Sequence, residues 1–133
     1  MKALWLLVLA ACDDHLFQPE GGDAVTPDWC GVEPVLAASC ATSGCHDAAS
    51  ATAGLDLETD PLAALVDIEG SYPGLVYVVP GDPDASYLLQ KIEGTQASGT
   101  GSRMPLGPPL DDPSIAAVRT WIADGALDCG GAP

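Results

Sequence analysis

The placement of five cysteines constrains this chain more than any other feature. They stand at positions 12, 30, 40, 45 and 129. Cys40 and Cys45 lie five apart and are followed at once by His46, whereas Cys30 and Cys129 lie at the two ends of the stretch with helical and turn patterning. The spacing suggests three roles: Cys12 alone near the start, Cys40 and Cys45 as a local site, and Cys30 with Cys129 as a long-range disulfide. A bond between that last pair closes a loop of about 100 residues, which by loop-closure entropy stabilises by up to roughly 4–5 kcal/mol. Other pairings stay open on sequence grounds. A staple matters here because a purely protein core is thin. Aromatic residues make up 5% of the chain, and 15 Gly with 12 Pro favour turns and short helices over a long bundle.

Charge narrows the partners. With 4 Lys and Arg against 19 Asp and Glu, the formal charge is −15. Phosphate backbones and anionic lipid headgroups need clustered cations, which excludes nucleic acid and charge-driven docking on a bilayer. No apolar run reaches the roughly 18–20 residues that span a membrane. Met1-Lys2 is followed by an apolar stretch, Ala3 to Ala11, and then by Cys12. One cation, a short apolar run and small residues form an export signal. Leu9-Ala10-Ala11-Cys12 resembles the lipobox of bacterial lipoproteins, which implies cleavage before Cys12 and diacylglycerol on its thiol. The expected organisation is a signal at residues 1–11, a lipid-anchored acidic tether at 12–29, a domain at 30–129 and a tail at 130–133. Asp13, Asp14, Glu20, Asp23 and Asp28 give the tether a composition that stays flexible, and His15 within it reads as a solvated residue. Removal of Lys2 with the signal takes the charge from −15 to −16.

Within the domain, Val32–Ser39 reads as a short helix, with Pro34 in its first turn. Asp60-Pro61 starts a second helix running to about Ile68, Asp82-Pro83 a third running to Glu93 and stopped by Gly94, and Asp112-Pro113 the last. In that last helix Ile115, Val118, Trp121 and Ile122 form one apolar stripe, and Gly125 suits the position after its end. Leu75–Val79, rich in Val, reads as extended. Residues 95–110 have no helical period and read as a long loop. The expected core is Leu36, Leu55, Leu57, Leu65, Val79, Tyr87, Leu88, Val118 and Trp121, with Trp121 packing from the last helix onto the first.

Cys40-Ala-Thr-Ser-Gly-Cys45-His46 carries the chemistry. Two thiols followed directly by His is the pattern by which c-type haem is attached: the thiols add across the vinyl groups, and the His lies under the iron. The usual spacer is two residues and here it is four, so the segment must bulge, for which Gly44 supplies the backbone freedom. Met104 is the one Met after the signal. It lies in a Gly- and Pro-rich loop with Pro105 behind it, a place better suited to a ligand than to core filling.

These segments together resemble the small cytochrome c domains of exported bacterial proteins. The resemblance runs from Val35–Cys40 through Gly54-Leu55-Asp56-Leu57, Val79–Leu88 and Arg103-Met104-Pro105 to Trp121–Ala126. It implies a mostly α domain of about four short helices around one covalent haem c, with long loops. It implies Cys40 and Cys45 as thioether positions, His46 and Met104 as axial ligands of the iron, and electron transfer rather than enzymatic turnover. The expected setting is the bacterial cell envelope, anchored through Cys12 and facing the periplasm or the surface. The expected partners are redox proteins with basic docking faces. Arg103 and Lys91 are scarce cations that read either as partners of the haem propionates or as solvated charges. Two other readings stay open: a haem-free, disulfide-stapled binding module with Cys40 bonded to Cys45, and a metal site on Cys40, Cys45 and His46 that lacks a second ligand pair.

Overall fold

A computed structural model describes residues 24–130. The expected signal at 1–11, the lipidation at Cys12, most of the tether with His15, and residues 131–133 of the tail lie outside the described residues. The described chain is mostly helical, with four α-helices, one short 3-10 turn at Thr52–Gly54, and no sheet among the described residues. Among those residues no helix is long and apolar enough to cross a membrane.

Acidic caps set most of the helix starts. α1 (Trp29–Ser39) begins after Asp28, whose carboxylate accepts from the Gly31 N–H. α2 (Pro61–Leu65) begins after Asp60, which accepts from Ala63, and α4 (Asp112–Ala123) after Asp111, which accepts from Ser114. Each cap satisfies one of the N–H groups that a helix start leaves without a partner. α3 (Tyr87–Glu93) has no side-chain cap and stops at Gly94, where φ is +76°.

Three boundaries differ from the sequence expectation. α1 starts at Trp29 rather than Val32, which places Pro34 inside the helix and not in its first turn. Trp29 is buried and Val25 packs against the core, so the fold takes in residues that composition assigns to the tether. α2 ends at Leu65 because Val66 leaves to bridge Val78. α3 starts at Tyr87, five residues after Asp82. The Asp82-Pro83 signal does form a turn, with Asp82 accepting from the Ala85 N–H. The turn ends at Ser86, which is fully buried: its hydroxyl donates to the Asp82 carbonyl at 2.8 Å and accepts from the Val79 N–H at 2.9 Å.

The core forms where α4 packs against α1 and α3. Trp29 and Trp121 meet with ring centroids 5.0 Å apart, and the Trp121 Nε1–H donates to the Leu127 carbonyl at 2.9 Å. Val32, Leu36, Leu65, Leu89, Ile92, Val118 and Ile122 complete it. Of the expected core residues, Val79 is only half-buried; its place is taken by Val78, whose N–H donates to Leu65 and whose carbonyl accepts from Asp67. Ser86→Ala removes the one hydroxyl that serves both Val79 and Asp82. It is expected to cost about 1–3 kcal/mol, the desolvation penalty of backbone groups left without partners. Urea unfolding of the two proteins checks this, and a loss below about 0.5 kcal/mol would mean that water replaces the hydroxyl.

Candidate functional site

The end of α1 delivers Cys40 into the core, where it is 8% exposed and its N–H returns to the Leu36 carbonyl at 2.8 Å. The chain then bulges outward. Gly44 takes the left-handed conformation at φ +82°, as the longer spacer requires. The Cys45 N–H donates to Thr42 at 2.9 Å, and the His46 N–H reaches back to the Cys40 carbonyl at 3.1 Å. That last bond closes the bulge and holds Cys40, Cys45 and His46 on one loop.

The following residues brace the loop from outside. The Thr52 N–H donates to the Cys45 carbonyl at 2.9 Å, the Gly44 N–H to Ser50 Oγ at 3.1 Å, and the Leu57 N–H to the His46 carbonyl at 2.8 Å. Ala51 and Ala53 both sit at positive φ, +37° and +59°. A side chain there costs on the order of 1 kcal/mol, and such strain persists only where surrounding bonds over-determine the backbone.

His46 is half-buried, and its Nδ1 donates to the Leu55 carbonyl at 3.2 Å. A carbonyl can only accept, so the bond puts a proton on Nδ1 and makes Nε2 the ring nitrogen left for a ligand. Iron-binding histidines are oriented in this way, by a backbone carbonyl on the opposite ring nitrogen. No pattern in the sequence marks Leu55 for that task, because its side chain is an ordinary core residue and its backbone does the work.

Both cysteines of the motif are free thiols. The Cys40–Cys45 bond of the haem-free reading is therefore not formed, while Cys30 and Cys129 are bonded to each other. Burial, with a smaller contribution from Cys45, pushes the Cys40 thiol up to about 11. Cys40 is thus protonated at neutral pH and slow in thiol–disulfide exchange. Cys45 is exposed.

Met104 is positioned by α3. It is half-buried in the 95–110 loop, which is irregular as expected, and its N–H donates to the Lys91 carbonyl of α3 at 2.9 Å. Among the described residues no hydrogen bond joins Met104 to the Cys40–His46 loop. The side chains beside it are cationic. Lys91 Nζ donates to the Ser102 carbonyl and lies 5.6 Å from the Tyr87 ring centre, and burial lowers its pKa. Arg103 Nη2 donates to the Gly107 carbonyl at 3.1 Å, but Arg103 Nη1 is buried with no partner.

Among the described residues, open clefts of about 340 and 490 Å³ are not lined by Cys40, Cys45, His46 or Met104. The case for the site rests on its donor set instead. Two free thiols, an imidazole with Nδ1 committed and Nε2 free, a thioether in a loop, and a buried guanidinium N–H without an acceptor together fit a covalently attached haem. Residues 43–105 match the family model described as Planctomycete cytochrome C. The match includes Cys45, His46 and Met104 and begins after Cys40. No curated protein and no solved structure matches the chain.

Proposed function

We propose, from the match of residues 43–105 to the Planctomycete cytochrome C model, that the chain carries one haem c, bound through Cys40 and Cys45, with His46 and Met104 as axial ligands. The family domain implies haem-based electron transfer, the work of a carrier rather than of an enzyme. The observation that carries the finer reading is the His46 ring. Its Nδ1 is spent on Leu55, and its free Nε2 follows directly on a free Cys45.

The chain's own residues divide the task. Cys40 and Cys45 would each add S–H across a haem vinyl group, sulfur to one carbon and hydrogen to the other, and so fix position and edge. Cys40, buried at the end of α1, ties its carbon–sulfur bond to the core. Leu55 holds the His46 imidazole in the tautomer that ligates. Lys91 holds the Met104 backbone from α3. Haem bound there supplies a one-electron Fe(III)/Fe(II) couple, and no bond is made or broken in a substrate. A Met/His pair raises the potential relative to two histidines.

Around this unit the reading extends to the whole chain. Lipidation at Cys12 anchors it in the bacterial envelope, facing the periplasm or the surface. The acidic segment after Cys12 lets the domain reach from donor to acceptor. A formal charge of −15 supports redox partners with basic faces, recognised by steering. The test uses protein exported from a host with cytochrome c maturation machinery. Haem is expected to stay on the polypeptide through acid-acetone extraction and to give a pyridine haemochrome spectrum. Met104→Ala is expected to keep that haem and lower the reduction potential. A wild-type chain without covalent haem defeats the reading, and an unchanged potential and iron coordination in Met104→Ala defeats the distal ligand.

A further inference from the structure

The chain has 4 Lys and Arg against 19 Asp and Glu, so an acidic partner is within easy reach of almost any cation. Arg119 behaves accordingly, with ion pairs to Asp84 at 2.8 Å and Glu93 at 2.9 Å. Lys91 and Arg103 do not. Among the described residues neither is paired with a carboxylate, and both flank Met104. Their hydrogen bonds go to backbone carbonyls of the Met104 loop, at Ser102 and Gly107. One guanidinium nitrogen, Arg103 Nη1, is buried with no acceptor at all.

Two glycines keep these side chains where they are. A Cβ on Gly94 would come within 3.0 Å of Arg103 Cδ, and one on Gly101 within 2.9 Å of Lys91 Nζ. Leaving a charged donor buried without an acceptor costs more than the 1–3 kcal/mol typical of neutral groups. Leaving both cations without a carboxylate in so acidic a chain forgoes any stabilisation by its own acids. Both observations have one explanation if the acceptor is an anion absent from the polypeptide. A planar guanidinium with a free N–H is the group best matched to a carboxylate.

We propose that Arg103, seconded by Lys91, binds the propionate carboxylates of the haem and so is a positioning residue for it. The inference rests on the haem reading above. Gln96 Oε1, the other buried atom without a partner, is an acceptor and does not compete for the same anion.

The experiment compares haem-loaded wild type with Arg103→Gln, Lys91→Gln and Arg103→Lys. The readouts are the reduction potential and the propionate bending band in the resonance Raman spectrum. Loss of a cation near the iron favours the ferric state. In Arg103→Gln the ferric-to-ferrous ratio at a fixed solution potential is expected to rise about fivefold, with a smaller rise in Lys91→Gln. The propionate band shifts in Arg103→Gln. Arg103→Lys restores the potential, but not the band, because the charge returns without the fork. If Arg103→Gln takes up no haem, Arg103→Lys carries the test alone, and an unshifted band there overturns the assignment. Unchanged potential and band in Arg103→Gln overturn it while leaving the haem reading intact. A wild-type chain with no covalent haem overturns both.

Discussion

The Cys40→Ala/Cys45→Ala chain is expected to carry no haem that survives acid-acetone extraction, a complete loss of the pyridine haemochrome signal from the polypeptide. The two positions contribute differently to the fold, which makes the single variants informative. Cys45 is exposed and its side chain supports nothing, so Cys45→Ala removes one thioether at almost no cost in stability. Cys40 belongs to the core cluster with Leu36, Leu55 and Leu57, so Cys40→Ala also leaves a small void, at about 1 kcal/mol. The family match begins at residue 43 and covers Cys45 but not Cys40. Cys40→Ala is therefore the sharper test of the four-residue spacer. One remaining thioether through Cys45 should still hold the haem, with a displaced haemochrome band. A double variant that keeps acid-stable haem would show that these thiols are not the attachment points. Far-UV circular dichroism close to that of the wild type would separate lost attachment from lost fold, since the Cys30–Cys129 bond does not depend on the site.

Where local chemistry decides, the sequence is a reliable guide. Asp60 caps α2 through its own carboxylate, Asp112-Pro113 opens α4 with the cap one residue earlier at Asp111, Gly94 stops α3 at positive φ, and Gly44 supplies the left-handed turn between the two thiols. Where a distant group decides, it is not. The Asp82-Pro83 signal forms its turn, but the hydroxyl of Ser86 then takes the Val79 N–H and Asp82 carbonyl, and the helix restarts. α1 extends back to Trp29 because that ring has Trp121 to pack on, ninety-odd residues away in sequence. Val78, not Val79, is the core valine because its backbone pairs across to Val66. The site follows the same division. Cys40, Cys45, His46 and Met104 stand out by residue type and spacing. The Leu55 carbonyl that orients His46, and the Lys91 carbonyl that holds Met104, are backbone atoms brought up by the fold, and no residue type announces them.

The Cys30→Ser/Cys129→Ser chain is expected to lose about 4–5 kcal/mol of stability, the entropy gained by an unfolded chain released from a loop of this length. The bond joins residues 99 apart in sequence and 5.4 Å apart between Cα atoms. Against a total of about 5–15 kcal/mol for a domain of this size, that is about a quarter or more of the stability. The native state itself should change little. Both cysteines are exposed, so serine fits at either position. The segment after α4 is also held by other bonds: Ala126 N–H to the Trp121 carbonyl, and Trp121 Nε1–H to the Leu127 carbonyl, each at 2.9 Å. The effect therefore belongs to the unfolded ensemble, and the urea m-value should rise together with the drop in midpoint. A bound haem would add a second closure inside the first. A His46–iron–Met104 link would tie residues 46 and 104, and while it survives unfolding, the disulfide closes only the shorter path around it. Stability should thus fall by less in haem-loaded protein than in protein stripped of iron ligation by a competing ligand such as imidazole. Equal losses in the two forms would mean that Met104 and His46 do not share one iron in the unfolded ensemble. A loss below about 1 kcal/mol in both would mean that the unfolded chain is already compact without the disulfide.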